Sequence, residues 1–186
     1  MSPARPRSAP AVHRANSETG GRRIVDTIRS SADAQKAKAD PTGSGALRYA
    51  DRLCSLTICG ADRLPRFADA SFADALVALL FQQARASRVT LHAYCLMPDH
   101  VHLLASPNGG DSVISFVQAF KGRSTRLAWE FGHAGTIWQP RFYDHFLREE
   151  EDIPRAVEYI LNNPVRKGLV SNWHDYHWCG TSGDDA

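Results

Sequence analysis

The sequence predicts an α+β sandwich, with helices packed on one side of an antiparallel sheet. Short runs of β-branched and apolar residues alternate with longer amphipathic stretches. Two of the short runs, VTLHAYCLM at 89–97 and VHLLASP at 101–107, are parted only by Pro98 and Asp99, a pair suited to a tight connection, so they are expected to pair antiparallel. A last amphipathic stretch closes an order of strand, helix, strand, strand, helix, strand, helix. A sandwich of ferredoxin-like kind is the simplest architecture for that order.

The first 45 residues stand apart. Rich in Ala, Ser, Pro, Arg and Gly and nearly free of aromatics, residues 1–45 cannot bury enough apolar area to offset chain entropy, and a mostly disordered arm is expected, with a short helix possible over 22–37. Eight Arg and Lys face four Asp and Glu there, so with a net charge of +2 overall the basic excess lies in this arm and the rest carries a net −2. A solvated arm and an arm that gathers phosphate backbone electrostatically are both consistent with that composition. One domain is expected over 46–178, followed by a flexible tail over 179–186.

Within the domain, LCSLTICG reads as a buried strand closed by glycine. SFADALVALLFQQARAS follows as an amphipathic helix, with Ser71 as N-cap and a stripe of Phe72, Leu76, Leu79 and Leu80. A second helix is expected from 112 to 131, with Val113, Phe116, Val117, Phe120 and Leu127 on one side and Lys121, Arg123 and Arg126 near its middle. IWQPRFYDHFLR reads as an extended stretch ending in a strand. EEEDIPRAVEYILNNPV reads as a helix with acids in its first turn, stopped by Pro164.

Several classes are disfavoured. No stretch approaches the roughly 18 to 20 apolar residues of a membrane span, and the first residues lack the apolar core of a secretory signal, so a soluble, cytoplasmic protein is expected. Cys54, Cys59, Cys95 and Cys179 form no CxxC pair and are read as buried thiols.

The chemistry centres on His100 and His102. Residues two apart on a strand face the same side, so both imidazoles can converge on one point while Val101 packs into the core. By itself the pair is weak, since eight histidines in 186 positions yield about 0.3 such pairs by chance. In AVEYILNNP, Tyr159 and Asn163 stand four residues apart and share a helix face, and a phenol beside an amide oxygen suits a hard-cation site. A rim aromatic would place a tyrosine there without any chemistry. With a pKa of about 10, the phenol needs a neighbouring cation or base to become a nucleophile at neutral pH.

Taken in order, MPDHVHLL, FKGR, WQPRFYDHFLREEED and EYILNNPVRKGLV resemble the single-tyrosine HUH transposases of insertion sequences, and within them the REP-associated tyrosine transposases, over roughly residues 47–170. The resemblance implies that His100 and His102 are metal ligands, that Tyr159 is the nucleophile, and that Asn163 completes the metal site. It implies Mg²⁺ or Mn²⁺ as cofactor. It further implies transesterification on single-stranded DNA with hairpin ends, through a 5′-phosphotyrosine and a free 3′-OH that a later attack can rejoin.

Lys121, Arg123 and Arg126 are read as phosphate contacts, and Arg141 with Trp138 and Phe142 as a cation beside rings suited to unstacked bases. The alternatives are a solvated helix face and a core tryptophan. The chain departs from the family pattern near 48–60, where the family usually has a histidine-containing strand entry followed by an arginine and this chain has RYADRLCSLTICGADR. His92 and His145 are read as structural, and His174 and His177 as part of a segment packing back on the domain. A homodimer with Tyr159 acting in the partner's site is compatible with the sequence. So are two other classes, a hairpin-binding protein without turnover and a metal-free module in which the histidine pair is accidental.

Overall fold

Alternation in CSLTIC builds strand β1 (Cys54–Cys59), an inner strand of the sheet. The computed structural model describes residues 53–109, 112–147 and 152–181. The expected N-terminal arm and residues 182–186 lie outside them. Helix α1 (Ala70–Ser87) leads to β2 (Val89–Met97), which turns through Pro98 and Asp99 into β3 (His100–Pro107). Helix α2 (Val113–Glu130), strand β4 (Tyr143–Phe146), helix α3 (Asp152–Leu161), the single turn α4 (Asn163–Arg166) and strand β5 (Cys179–Thr181) complete the chain.

The sheet order is β4-β1-β3-β2-β5 and all neighbours are antiparallel. Strands β1 to β4 with α1 and α2 reproduce the expected ferredoxin-like α+β arrangement. Capping sets the helix starts. Ser112 caps α2 as expected, its hydroxyl accepting from the Ser115 amide at 3.1 Å. For α1 the cap is Asp69 rather than Ser71, because the Asp69 carboxylate accepts from the Phe72 amide at 2.8 Å and starts the helix at Ala70.

The helices do not all lie on one side. Leu56, Ile58, Tyr94, Leu96, Val101 and Leu103 pack under α1 and α2, whereas Ala93, Cys95, Met97 and Leu104 on the opposite face pack under Ile153, Val157, Ile160 and Leu161 of α3. The reason lies in the strands. Every residue of β3 is buried, and a strand apolar at successive positions needs cover on both faces. The unbroken VHLLASP run carried that signal.

A bulge refines the pattern. Leu91 pairs with Ala105 and Ala93 with Leu104, so His92 is the extra residue, and Val89 and Leu91 thereby share a face with Tyr94 and Leu96. His92 is buried and hydrogen-bonds Ser106 Oγ at 2.8 Å, the structural role expected of it. Burial lowers its pKa to about 4. An unfolded histidine titrates near 6.5, so this contribution to stability is complete above pH 6.5 and is lost as pH falls toward 4. Between those values the wild type is expected to lose roughly 3 kcal/mol more stability than His92→Gln. Urea unfolding at pH 7, 5.5 and 4 checks this, and parallel pH profiles in the two proteins would refute it.

The first three residues of the expected tail form a strand. Cys179–Thr181 pair with Ala93–Cys95 as the edge strand β5. What holds it is the preceding segment: Tyr176 Oη donates to the Leu96 carbonyl at 3.0 Å, and Trp178 Nε1 donates to Asp74 Oδ1 at 2.8 Å. That packing agrees with the reading of the aromatic NWHDYHW stretch. Among the described residues no helix is long and apolar enough to cross a membrane.

Candidate active site

Strand β3 projects His100 and His102 onto the sheet face covered by α3, and their Nε2 atoms stand 3.0 Å apart with the rings nearly perpendicular at 86°. Each ring is held from behind through Nδ1. His100 is hydrogen-bonded to Asp99 Oδ1 at 2.5 Å, and His102 to Thr57 Oγ1 at 2.9 Å from the neighbouring strand β1, where the two residues are direct register partners. Such anchoring fixes ring orientation and leaves both Nε2 atoms for a ligand. Adjacent ligands of an octahedral ion at about 2.1 Å lie about 3 Å apart, so the pair is spaced to hold one cation.

Electrostatics favour the ligating form. Burial pushes the pKa of His102 down to about 4, with the charges of His100, Arg166 and Arg63 acting in the same direction and Asp99 opposing them. His102 is therefore neutral at pH 7, as metal binding requires. Burial also works to raise the Asp99 carboxyl, but its hydrogen bond and charge interaction with His100, together with Arg63, outweigh that and hold it below its ordinary value. The Arg63 guanidinium lies 3.5 Å from Asp99 Oδ2. Gly60 allows this close assembly. Its amide donates to the Asp99 carbonyl at 2.7 Å, and a Cβ there would sit 2.9 Å from the same oxygen.

Helix α3 lays the Tyr159 ring edge-on to His102, centroids 6.0 Å apart. The tyrosine is 50% exposed, open to a large substrate. The Arg166 guanidinium sits over the tyrosine ring, 4.5 Å from its centroid. Asn163 does not continue α3, which ends at Leu161. Pro164 belongs to the start of α4 instead of stopping the helix, and Asn163 bridges the break by donating Nδ2 to the Tyr159 carbonyl at 2.8 Å and the Ile160 carbonyl at 3.3 Å. The amide itself is buried, so its nitrogen is satisfied by these two carbonyls of α3. Among the described residues no group of three or more His, Cys, Asp or Glu side chains gathers, and the two imidazoles stand as a pair.

The structure thus brings together His100, His102 and Tyr159, and ties Asn163 to the tyrosine's own carbonyl. Three neighbours had escaped sequence reasoning. Asp99 could have been noticed beside His100; Thr57 and Arg166 depend on strand register and on the break after α3. Thr57→Val is expected to lower divalent-cation affinity about 10- to 100-fold by freeing the His102 ring. Titration calorimetry with Mn²⁺ measures it, and an unchanged affinity in a folded variant would show that the anchor is dispensable.

The expected DNA contacts divide. Trp138 is only 1% exposed, packs 4.7 Å from Phe67 and donates Nε1 to Ser124 Oγ at 2.7 Å, so it is a core residue and not a platform for bases. Lys121 and Arg123 have protein acceptors. Lys121 Nζ donates to the Gln139 and Pro140 carbonyls at 2.5 and 3.0 Å, and Arg123 reaches Gln83 Oε1 and Gln82 Oε1 on α1 at 3.0 and 3.1 Å. Arg126 and Arg141 are exposed.

A sheet-borne imidazole pair facing a helix-borne tyrosine defines a layout suited to a tyrosine transposase. Residues 54–163, more than half the chain, match the family model described as "Transposase IS200 like", and the chain belongs to that family. The likeness to REP-associated tyrosine transposases holds as well. The chain is 33% identical over 90 residues to the REP-associated tyrosine transposase of Escherichia coli, covering 46% of this chain and 50% of that one. It is 31% identical over 96 residues to a putative REP-associated tyrosine transposase of Haemophilus influenzae, covering 45% and 54%. The chain spans about half the length of these curated relatives. A solved structure of a REP-associated tyrosine transposase bound to a REP hairpin superposes with a TM-score of 0.61 at 23% identity, over 76% of this chain and 81% of that one, and shows the shared fold.

Proposed function

We propose that the protein cleaves and rejoins single-stranded DNA flanked by hairpins, through a covalent link to Tyr159. The observation that carries this reading is the pair of Nε2 atoms 3.0 Å apart beside a half-exposed tyrosine. The hairpin is suggested by the REP hairpin bound in the related structure. His100, His102 and the amide oxygen of Asn163 would hold Mg²⁺ or Mn²⁺, which when bound supplies Lewis acidity at the scissile phosphate and to the departing oxygen.

The chain's own groups do the rest. Tyr159 Oη forms a bond to phosphorus as the phosphorus–O3′ bond breaks; the phenolic proton passes to solvent and the 3′ oxygen gains one. A 5′-phosphotyrosine and a free 3′-OH result. Attack by another 3′-OH reverses the step and rejoins strands, with the phosphodiester energy conserved in the link. Exposed Arg126 and Arg141 are open to backbone phosphates, while Lys121 and Arg123 hold the scaffold. Action on chromosomal DNA implies a cytoplasmic location, and a homodimer exchanging tyrosines fits the accessibility of Tyr159.

The test is direct. The protein is mixed with Mg²⁺ or Mn²⁺ and labelled single-stranded hairpin DNA from its own genomic neighbourhood, and a denaturing gel is read for label that travels with protein. A metal-dependent adduct is expected. Tight hairpin binding with no adduct under either ion would overturn the reading in favour of a binding protein without turnover.

A further inference from the structure

We propose that Arg166 is the phosphate clamp of this site, holding the scissile phosphodiester against the Tyr159 hydroxyl through its guanidinium edge. The proposal rests on the function argued above and adds a substrate contact to it. Arg166 stands 4.5 Å from the Tyr159 ring centroid, well inside the roughly 6 Å reach of a cation–π contact. A guanidinium packed on a ring keeps its N–H edge available, and that planar edge matches the two non-bridging oxygens of a phosphodiester. A lysine ammonium could not stack and grip in this way.

The position is built. Arg166 lies three residues after Asn163 on the one-turn helix α4, so the same element sets both groups around Tyr159. Asn163 and Pro164 are buried, and the Arg166 and Lys167 amides donate to the Asn162 and Asn163 carbonyls at 2.9 and 3.0 Å. The backbone beneath the guanidinium is therefore held while the side chain itself is exposed. Among the described residues no carboxylate lies within ion-pair distance of it, in contrast to Arg63 on the other side of the histidines, which faces Asp99. The cation beside the nucleophile is left for an anion from outside.

During attack the non-bridging oxygens must be gripped while the phosphorus changes partners, and a fixed donor there acts more strongly on the transition state than on bound DNA. Arg166→Ala is therefore expected to slow adduct formation at saturating DNA about 100-fold, the scale of one lost anion-stabilising donor, while hairpin affinity changes less than about 3-fold. Arg166→Lys should recover part of the rate. Far-ultraviolet circular dichroism and the thermal midpoint should match the wild type for both.

The decisive arm places a methylphosphonate at the cleavage position read from the wild-type adduct, which removes one anionic oxygen. The wild type should be slowed strongly by that replacement and Arg166→Ala much less, because the partner of the missing oxygen is already gone. Should Arg166→Ala cleave within about 3-fold of wild type, or should the methylphosphonate penalty be equal in both proteins, the clamp is refuted and Arg166 only packs on the ring. If the wild type itself forms no adduct, the failure belongs to the proposed function, and the clamp falls with it.

Discussion

Tyr159→Phe is expected to abolish the protein–DNA adduct, lowering its formation on the order of 10⁴-fold or more, because phenylalanine has no oxygen to attack phosphorus and Tyr159 is the phenol that stands beside His102. The substitution removes one hydroxyl from a side chain that is half exposed, so it leaves no buried polar group unpaired, and stability should change by less than about 0.5 kcal/mol. The ring contacts with His102 and Arg166 survive it. Hairpin affinity, measured by fluorescence anisotropy, should stay within about 3-fold of wild type. Retention of the adduct in Tyr159→Phe would place the nucleophile elsewhere and remove the central claim. Equal loss of DNA binding would instead make the tyrosine a recognition residue.

Trp138→Ala should act on a different quantity. Its indole fills the space among Phe67, Phe120 and the end of β1, and its Nε1 hydrogen bond to Ser124 is buried. Truncation is expected to cost about 3 to 5 kcal/mol, a large share of the roughly 5 to 15 kcal/mol that stabilises a typical domain. The segment it anchors also closes the site from behind, since the Ala61 amide donates to the Ile137 carbonyl at 2.8 Å and the Gln139 amide to the Cys59 carbonyl at 2.9 Å, one residue from Gly60 and its bond to Asp99. Trp138→Phe keeps most of the volume and should recover more than half of the loss. Chemical denaturation measures both. A Trp138→Ala protein of wild-type stability with weakened DNA binding would restore the base-stacking role that burial argues against.

These two residues show how differently a sequence exposes its meaning. Tyr159 was legible because it follows a helical pattern and stands in a motif with its neighbours, whereas Trp138 in IWQPRF has no period to say which way the ring turns. Its burial follows from the Gly60–Trp138 bridge, a contact across 78 residues. Lys121 and Arg123 misled for a related reason: cations on a helix look solvated until the loop and the helix that supply their acceptors are in place. Among the site residues, His100 and His102 were legible as a facing pair, but the spacing of their Nε2 atoms depends on Asp99 and Thr57, and Thr57 reaches His102 only through the pairing of β1 with β3.

By itself the sequence determined the elements and their order, the antiparallel β2–β3 hairpin, the common face of the two histidines and the tyrosine on the last long helix. All of these follow from local periods of 2 and 3.6 residues and from turn chemistry, which neighbouring residues set among themselves. Tertiary structure alone decided that α3 covers the opposite face of the sheet, that Asn163 bridges a helix break, that Arg166 lies over Tyr159, and that Cys179–Thr181 form an edge strand. Each of those depends on burying two faces of one sheet at once and on strand register between distant segments, a condition that the assembled fold satisfies and no short stretch of sequence contains.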